Sequence, residues 1–443
     1  MKKILLLLLI IPYALSAQIS GPGSTLTLQQ CIDIALKNNY DLLIDSERID
    51  VAEARLRSAF GEYLPTISAN AGYNRQLNNL SQSLVFGDRV IQSSQNPNRY
   101  NASSFARLTL FDGFTREYNY SSADYNLESA KSGRAHLVRN IKIQVYRAYT
   151  EVIRNQQIVR IRQENLDLGR NDLKKIEAQY KAGVSALPEV YSQEAELGNL
   201  EFELLNSKNS LYTSKATLLN LMGLEPDLDV NFDNSSVPSD IGKDEVESFY
   251  KNHNDKEELI KTALENRLDL KSFNFTKKAA EAAKKATEGN YFPTLSASTG
   301  WSWANTEINE FGDRGNFALG FNLSVPIFNN FRTDLQVQNA ELQLKQSEIE
   351  KDRLQNQIRN EVRTSLLSLE ISQKQLVVTE KSLKFSEKNY ESVSERYKVG
   401  VISVLELQRA NAQYVNSQLN RVNAVYNYYK AKKELLNSIG KID

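Results

Sequence analysis

Leu64-Pro65-Thr66-Ile67-Ser68-Ala69 recurs as Phe292-Pro293-Thr294-Leu295-Ser296-Ala297, 228 residues further along the chain. At both places a proline forbids continuation of the preceding helical pattern, and the apolar spacing switches to period two. The same offset carries Ala35-Leu36 onto Ala263-Leu264, Asn38 onto Asn266, Asp41-Leu42 onto Asp269-Leu270 and Gly61 onto Gly289. Beyond the strands the offset becomes 217: Phe111 falls on Phe328, Phe114 on Phe331, and Gly223 on Gly440. At that offset Tyr180-Lys181-Ala182-Gly183-Val184 falls on Tyr397-Lys398-Val399-Gly400-Val401. The chain is a tandem duplication whose second copy is eleven residues shorter between Gly300 and Phe328, which marks a surface loop there. Two copies are too few for a solenoid.

Each copy reads helix, strand, loop, strand, very long helix, tight turn, long helix. The spacing predicts a first helix over about 27–62, and its counterpart over about 256–290. The strands have one apolar and one polar or small face. Ile67, Ala69, Ala71 and Tyr73 alternate with Thr66, Ser68, Asn70 and Gly72, and Leu295, Ala297, Thr299, Trp301 and Trp303 alternate with small polar residues. The return strands carry Ala106, Leu108 and Leu110, and Phe317, Leu319, Phe321, Leu323 and Val325. A length of about ten residues suits a tilted crossing of a bilayer. Four strands cannot close alone, since the smallest single-chain membrane barrels need about eight. Either they form a soluble half-buried sheet or several copies of the chain pool their strands. Trp301, Trp303 and Tyr73 stand at a strand end, where an aromatic girdle would lie, although core aromatics of a sandwich would look similar.

The runs Thr115 to Lys181 and Thr333 to Lys398 contain no proline. At ~1.5 Å per residue each predicts a helix on the order of 100 Å long. The first carries a three-four seam of Val138, Ile141, Val145, Ala148, Val152, Asn155, Val159, Arg162, Leu166, Gly169, Leu173, Ile176 and Tyr180. The second keeps Ile358, Val362, Leu369, Leu376, Leu383, Tyr390, Val393 and Tyr397, with mostly Ser or Thr between them, a pattern that suits helices standing side by side around a wet lumen. Gly183 and Gly400 occupy left-handed cap positions before a returning helix. From Leu224 to Glu258, eleven Asp or Glu face three Lys, which reads as a solvated acidic connector on the outside of the helical body.

Composition excludes several classes. Lys and Arg number 54 and so do Asp and Glu, which argues against nucleic acid as a partner. One Cys and two His, His136 and His253, exclude a disulfide framework and leave no Cys/His metal motif, so no metal and no cofactor is expected. Mean hydropathy is -0.47, and no apolar run is long enough for a spanning helix, which leaves a β-barrel open. Lys2, Lys3, the run Ile4 to Ile11 and the small-residue end Leu15-Ser16-Ala17 read as an export signal over 1–17, with no following Cys to carry a lipid anchor. Cys31 reads as a small core residue.

Together, the export signal, the duplicated hairpin-and-helix module and the tips ending Tyr-Lys-Ala-Gly-Val and Tyr-Lys-Val-Gly-Val resemble the TolC family of outer-membrane efflux and secretion channels. The resemblance covers nearly the whole mature chain. It implies a mainly α fold with a membrane β-barrel: a homotrimer whose three sets of four strands make a twelve-stranded barrel among outer-membrane lipid, continued across the periplasm by an α-helical tunnel. The implied organisation is signal 1–17, first copy 18–223 with its hairpin at about 66–111, connector 224–256, and second copy 257–443 with its hairpin at about 294–328. The implied function is a passive channel of a tripartite efflux or type I secretion system. Its tips would dock on a periplasmic adaptor (membrane fusion) protein served by an inner-membrane RND or ABC pump, and would open as an iris.

In that family acidic residues after the second tip turn form the pore constriction. Glu406 falls at the first such position and Arg409 at the second, a departure from the acidic pattern that suggests a mixed ring. Glu189 is the first-copy equivalent of Glu406. Tyr180, Lys181, Gly183, Tyr397, Lys398 and Gly400 match the adaptor-docking tip. Pro188 departs from its counterpart Leu405, so the two hairpins should differ, with the second moving more. A secreted trimeric coiled-coil stalk or adhesin would explain the helices but not four amphipathic strands inserted at matched points. A periplasmic hydrolase finds no nucleophile elbow and no phosphate-binding loop, so no enzyme is expected. Loops 74–104 and 304–316 are expected to face outside.

Overall fold

The computed structural model describes residues 25–441 apart from 78–81, 87–88 and 94–95; the signal segment 1–17 lies outside the described residues. The first copy begins with β1 (Thr25–Leu26), α1 (Leu28–Asn38) and α2 (Tyr40–Gly61). Thr27 and Gln30 open α1 with a reciprocal capping box. The strands β2 (Thr66–Arg75), β3 (Gln82–Phe86), β4 (Arg89–Ser93) and β5 (Asn98–Phe111) follow, then α3 (Thr115–Lys181) and α4 (Leu187–Leu221). The connector holds β6 (Asn231–Phe232) and α5 (Lys243–Asn252). The second copy runs α6 (Lys256–Asn266), α7 (Leu268–Glu288), β7 (Thr294–Asn305), β8 (Asn316–Ser324), α8 (Arg332–Lys398) and α9 (Val404–Ser438). Both long helices have 67 residues.

One unit comprises residues up to Ser46, Gly133–Asp269 and Leu354 onward. Its core gathers Cys31, Ala35 and Leu42 with Ile141, Val145, Tyr149 and Val152, and with Leu218, Leu219, Met222 and Tyr426. Each opening helix, expected as one piece, is broken once, at Asn39 and at Arg267, which take extended backbone angles. Side-chain chemistry makes the break. Asn39 donates its amide to the Leu221 carbonyl at 2.9 Å and accepts from the Asp41 backbone N–H at 3.0 Å, capping α2. At the matched position Arg267 donates to the Ser438 carbonyl at 3.4 Å.

The acidic connector is no solvated loop. β6 pairs in parallel with β1, and Val230, Phe232 and Val237 are buried. Its charges are tied to the long helices: Asp240 to Arg421, Glu245 to Lys432, and Lys243 to Glu380. Most of its acidic side chains are nevertheless exposed, so the connector is a folded strap with a solvated acidic outer surface, anchored by its buried apolar residues and a few ion pairs.

The other unit comprises Glu47–Ser132 and Leu270–Arg353. Its main sheet has the order β2-β5-β7-β8, antiparallel throughout, so β2 and β8 are both open edges. The hairpin strands reach further outward than expected, and the segment assigned to the first loop carries a second hairpin, β3 with β4. A register shift at Leu110 turns Phe111 onto the apolar face, opposite Leu295. Arg116 holds this bulge, donating to the Thr109 and Leu110 carbonyls at 2.8 and 3.3 Å and pairing with Asp112 at 3.1 Å.

Candidate functional site

The seam of α3 is built as its spacing implies, and each of its three non-apolar positions has a use. Asn155 donates across to the Ser210 carbonyl of α4 at 3.2 Å, and Arg162 pairs with Glu203 at 3.1 Å. Gly169 makes room for Leu200. Their second-copy counterparts include Ser372 and Ser386, which are buried and donate to their own helix backbone, so that neither hydroxyl is left unsatisfied. α3 also meets α9: Asn411 donates to Asn165 at 2.8 Å, and Arg147 pairs with Glu434 at 3.0 Å. α9 meets α8 through Tyr414 stacked on Tyr390 at 5.6 Å. α3 and α9 thus form the centre of a helical layer flanked by α4 and α8.

The flanking helices carry apolar stripes left uncovered among the described residues. On α4 these are Tyr191, Phe202, Leu205 and Tyr212, and on α8 Leu367, Ile371, Val378 and Phe385, all exposed. The sheet repeats the pattern. Both edge strands are exposed along their length, and Ile67, Phe317, Leu319, Phe321 and Leu323 stand open on one face. Apolar patches of this extent, beside unpaired strand edges, are interaction surfaces.

At the tips the two copies end alike. Gly183 and Gly400 have φ of 73° and 74°, a left-handed turn that a side chain would strain. Their N–H groups donate to the Tyr180 and Tyr397 carbonyls at 2.9 Å, and the next N–H reaches Gln179 or Arg396, closing matched Schellman turns. The side chains around these turns differ. Tyr397 packs on a cluster of Ile176, Val190 and Val404, and burial, then the nearby Glu189 carboxylate, raises its hydroxyl above the ordinary value. Tyr180 is exposed. Lys398 pairs with Glu395 at 2.7 Å, whereas Lys181 is exposed with no ion pair among the described residues.

Glu406 and Arg409 lie on the exposed side of the first turns of α9, and no ion pair joins them among the described residues. The Glu406 backbone N–H is capped by Ser403. Glu189 is half-buried and accepts a hydrogen bond from the Ser185 hydroxyl, so it is engaged within its own turn.

Of the strand-end aromatics, Tyr73 is exposed, stacked on Tyr100 at 4.8 Å, and donates to Asn98 at 2.9 Å. Trp301 contacts Phe311 edge-on. Trp303 is buried; its indole N–H donates to the Glu310 carbonyl at 3.0 Å beneath Phe311, so it anchors its own loop. Sequence reasoning missed a second aromatic group at the opposite end of the strands. Phe111 and Phe114 meet edge-on at 5.6 Å, as do their counterparts Phe328 and Phe331. Their recurrence at the 217-residue offset was the available signal.

No helix among the described residues is long and apolar enough to cross a membrane, and no group of potential metal ligands occurs among them. The model of the family described as outer membrane efflux protein matches residues 31–224 and 259–441. Outer membrane efflux protein BepC of Brucella suis biovar 1 is 22% identical, over 94% of this chain and 86% of its own length. Outer membrane protein TolC of Vibrio cholerae serotype O1 is 22% identical over 100% of this chain and 96% of its own length. Among solved structures, the outer membrane protein VceC of Vibrio cholerae superposes with a TM-score of 0.76 at 18% identity, covering 93% of this chain and 96% of that one. CusC superposes with a TM-score of 0.77 at 16% identity, covering 93% and 92%. With both copies matched by the family model, the chain belongs to the outer membrane efflux protein family and is a protein of the outer membrane.

Proposed function

We propose that three copies of this chain close into one passive export channel. The carrying observation is that the helical layer and the sheet each have two open, apolar edges within one protomer. A head-to-tail contact between unlike edges generates a ring when its rotation closes. Three sheets of four strands give twelve, an even number within the range of membrane barrels. The polar strand faces and helices then line a water-filled passage. The channel hydrolyses nothing; energy comes from its partners.

The tips dock on a periplasmic adaptor served by an inner-membrane RND or ABC pump, and open by iris-like movement. The solvent-facing Tyr180 and Val184 of the first tip and Val399 and Val401 of the second supply apolar surface for that contact. Glu406 and Arg409, in no ion pair among the described residues, supply a mixed ring when three tips converge, and a contact between neighbouring copies holds the tips shut.

Purified protein is expected to require detergent, to migrate as a trimer and to give discrete conductance in planar bilayers. A water-soluble elongated trimer without conductance would overturn the reading in favour of a stalk. Cysteine pairs crosslinked between the tips are expected to block export, and unchanged export would argue for a permanently open tip.

A further inference from the structure

The polar face of the four-stranded sheet is almost free of charge. It consists of Ser, Thr, Asn, Gly and Ala apart from three side chains of β5: Phe105, Arg99 and Arg107. Across the paired positions of all four strands the only charged groups on that face are these two guanidiniums, and no carboxylate shares it. Both arginines are exposed, and neither makes an ion pair among the described residues. In the register Arg107 stands opposite Thr66, the first residue of β2 after the helical end, and Arg99 opposite Asn74, beside the loop. Eight residues of strand separate them, about 26 Å at ~3.3 Å per residue. The two charges therefore mark the two ends of the sheet.

We propose that the barrel lumen carries a ring of arginines at each mouth and favours the passage of anions and anionic solutes. The inference rests on the trimeric channel reading, in which the opposite, apolar face of the sheet meets lipid and this face meets water. Each ring then holds three guanidiniums that stay charged at every working pH. Rings of Arg or Lys are the electrostatic means by which pores attract anions. Uncompensated positive charge on a confined polar wall raises the local anion concentration and lowers that of cations. The two rings lie farther apart than a Debye length at 0.1 M salt, ~10 Å, so each acts as a separate filter in series.

The test is the reversal potential of the full-length channel in planar bilayers under a KCl gradient. The chloride-to-potassium permeability ratio of R99E/R107E is expected to fall about threefold or more below that of the parent channel at 0.1 M salt. The difference should shrink toward 1 M salt, where the Debye length is ~3 Å. R99Q and R107Q, which remove the charge but keep a polar side chain, should each give an intermediate ratio, and they carry the test if the double charge reversal does not insert. An unchanged ratio in variants that conduct normally would overturn the lumen filter and leave the channel reading standing. Absence of conductance from the parent protein would overturn both.

Discussion

The guanidinium of Arg267 donates to both carboxylate oxygens of Asp269, at 3.0 and 2.7 Å, at the point where the second copy's opening helix breaks. The same side chain pairs with Glu361 on α8 and reaches the Ser438 carbonyl on α9, so one residue ties three helices. Removing it leaves the largely buried Asp269 without this partner. Arg267→Ala is expected to cost about 3 kcal/mol, against about 1 kcal/mol for Asn39→Ala. Thermal unfolding of the two purified variants checks the order; equal midpoints would contradict it.

Gly223 and Gly440 close the two copies in left-handed turns, with φ of 67° and 75°, against Asn38 and Asn266. A Cβ on Gly440 would lie 3.1 Å from the Asn266 carbonyl. Gly440→Ala is expected to destabilise by more than about 1 kcal/mol. Gly198, inside α4 with open space around it, provides the contrast: Gly198→Ala should stabilise by about 0.5–1 kcal/mol. Unfolding midpoints moving the same way in both variants would refute the distinction.

Cys31 is fully buried, and burial pushes its thiol from an ordinary value near 9 up to about 12. Burial likewise raises the hydroxyls of Tyr426, Tyr428 and Tyr429 to about 12. The folded state holds these protons more tightly than the unfolded state, so stability is full below about pH 9 and declines toward pH 12. The slope is about 1.4 kcal/mol per pH unit for each group titrating. Maleimide labelling at pH 8 should reach Cys31 only on unfolding. Rapid labelling of the folded protein would show the site to be open.

Phe385 on α8 and Phe202 on α4 stand on opposite flanks of the helical layer. If these flanks make the proposed contact between three copies, a glutamate at either place should release monomers, because a charge would be buried without a partner. Light scattering in detergent reads the outcome, and intact trimers in both variants would exclude these stripes from the contact.

Glu406 and Arg409 make the gating prediction. If they form the proposed constriction, replacing either by Ala, or reversing one charge, is expected to raise conductance or alter ion preference. Recordings indistinguishable from the parent channel would remove both residues from the constriction.

The duplication, the strand faces, the helix lengths and the tip turns were legible because each rests on a local rule: period, proline, or glycine at positive φ. The breaks at Asn39 and Arg267 were not, because they depend on carbonyls of Leu221 and Ser438, far away in sequence. The acidic strap's solvated charges were legible but its anchoring was not, since Asp240 and Glu245 find their partners in Arg421 and Lys432, far along the chain. Among the site residues, sequence placed Tyr180 and Tyr397 as equals. The structure separates them, because only Tyr397 faces the neighbouring hairpin's apolar cluster.

The open edges of the β2-β5-β7-β8 sheet also bear on biogenesis. A single protomer offers hydrocarbon two rows of peptide groups without partners, each costing several kcal/mol. A lone copy therefore has no stable way to lie in the bilayer. On the proposed trimeric barrel, assembly and insertion are therefore one event, and the cell would deliver this chain to its membrane as a subunit awaiting its neighbours.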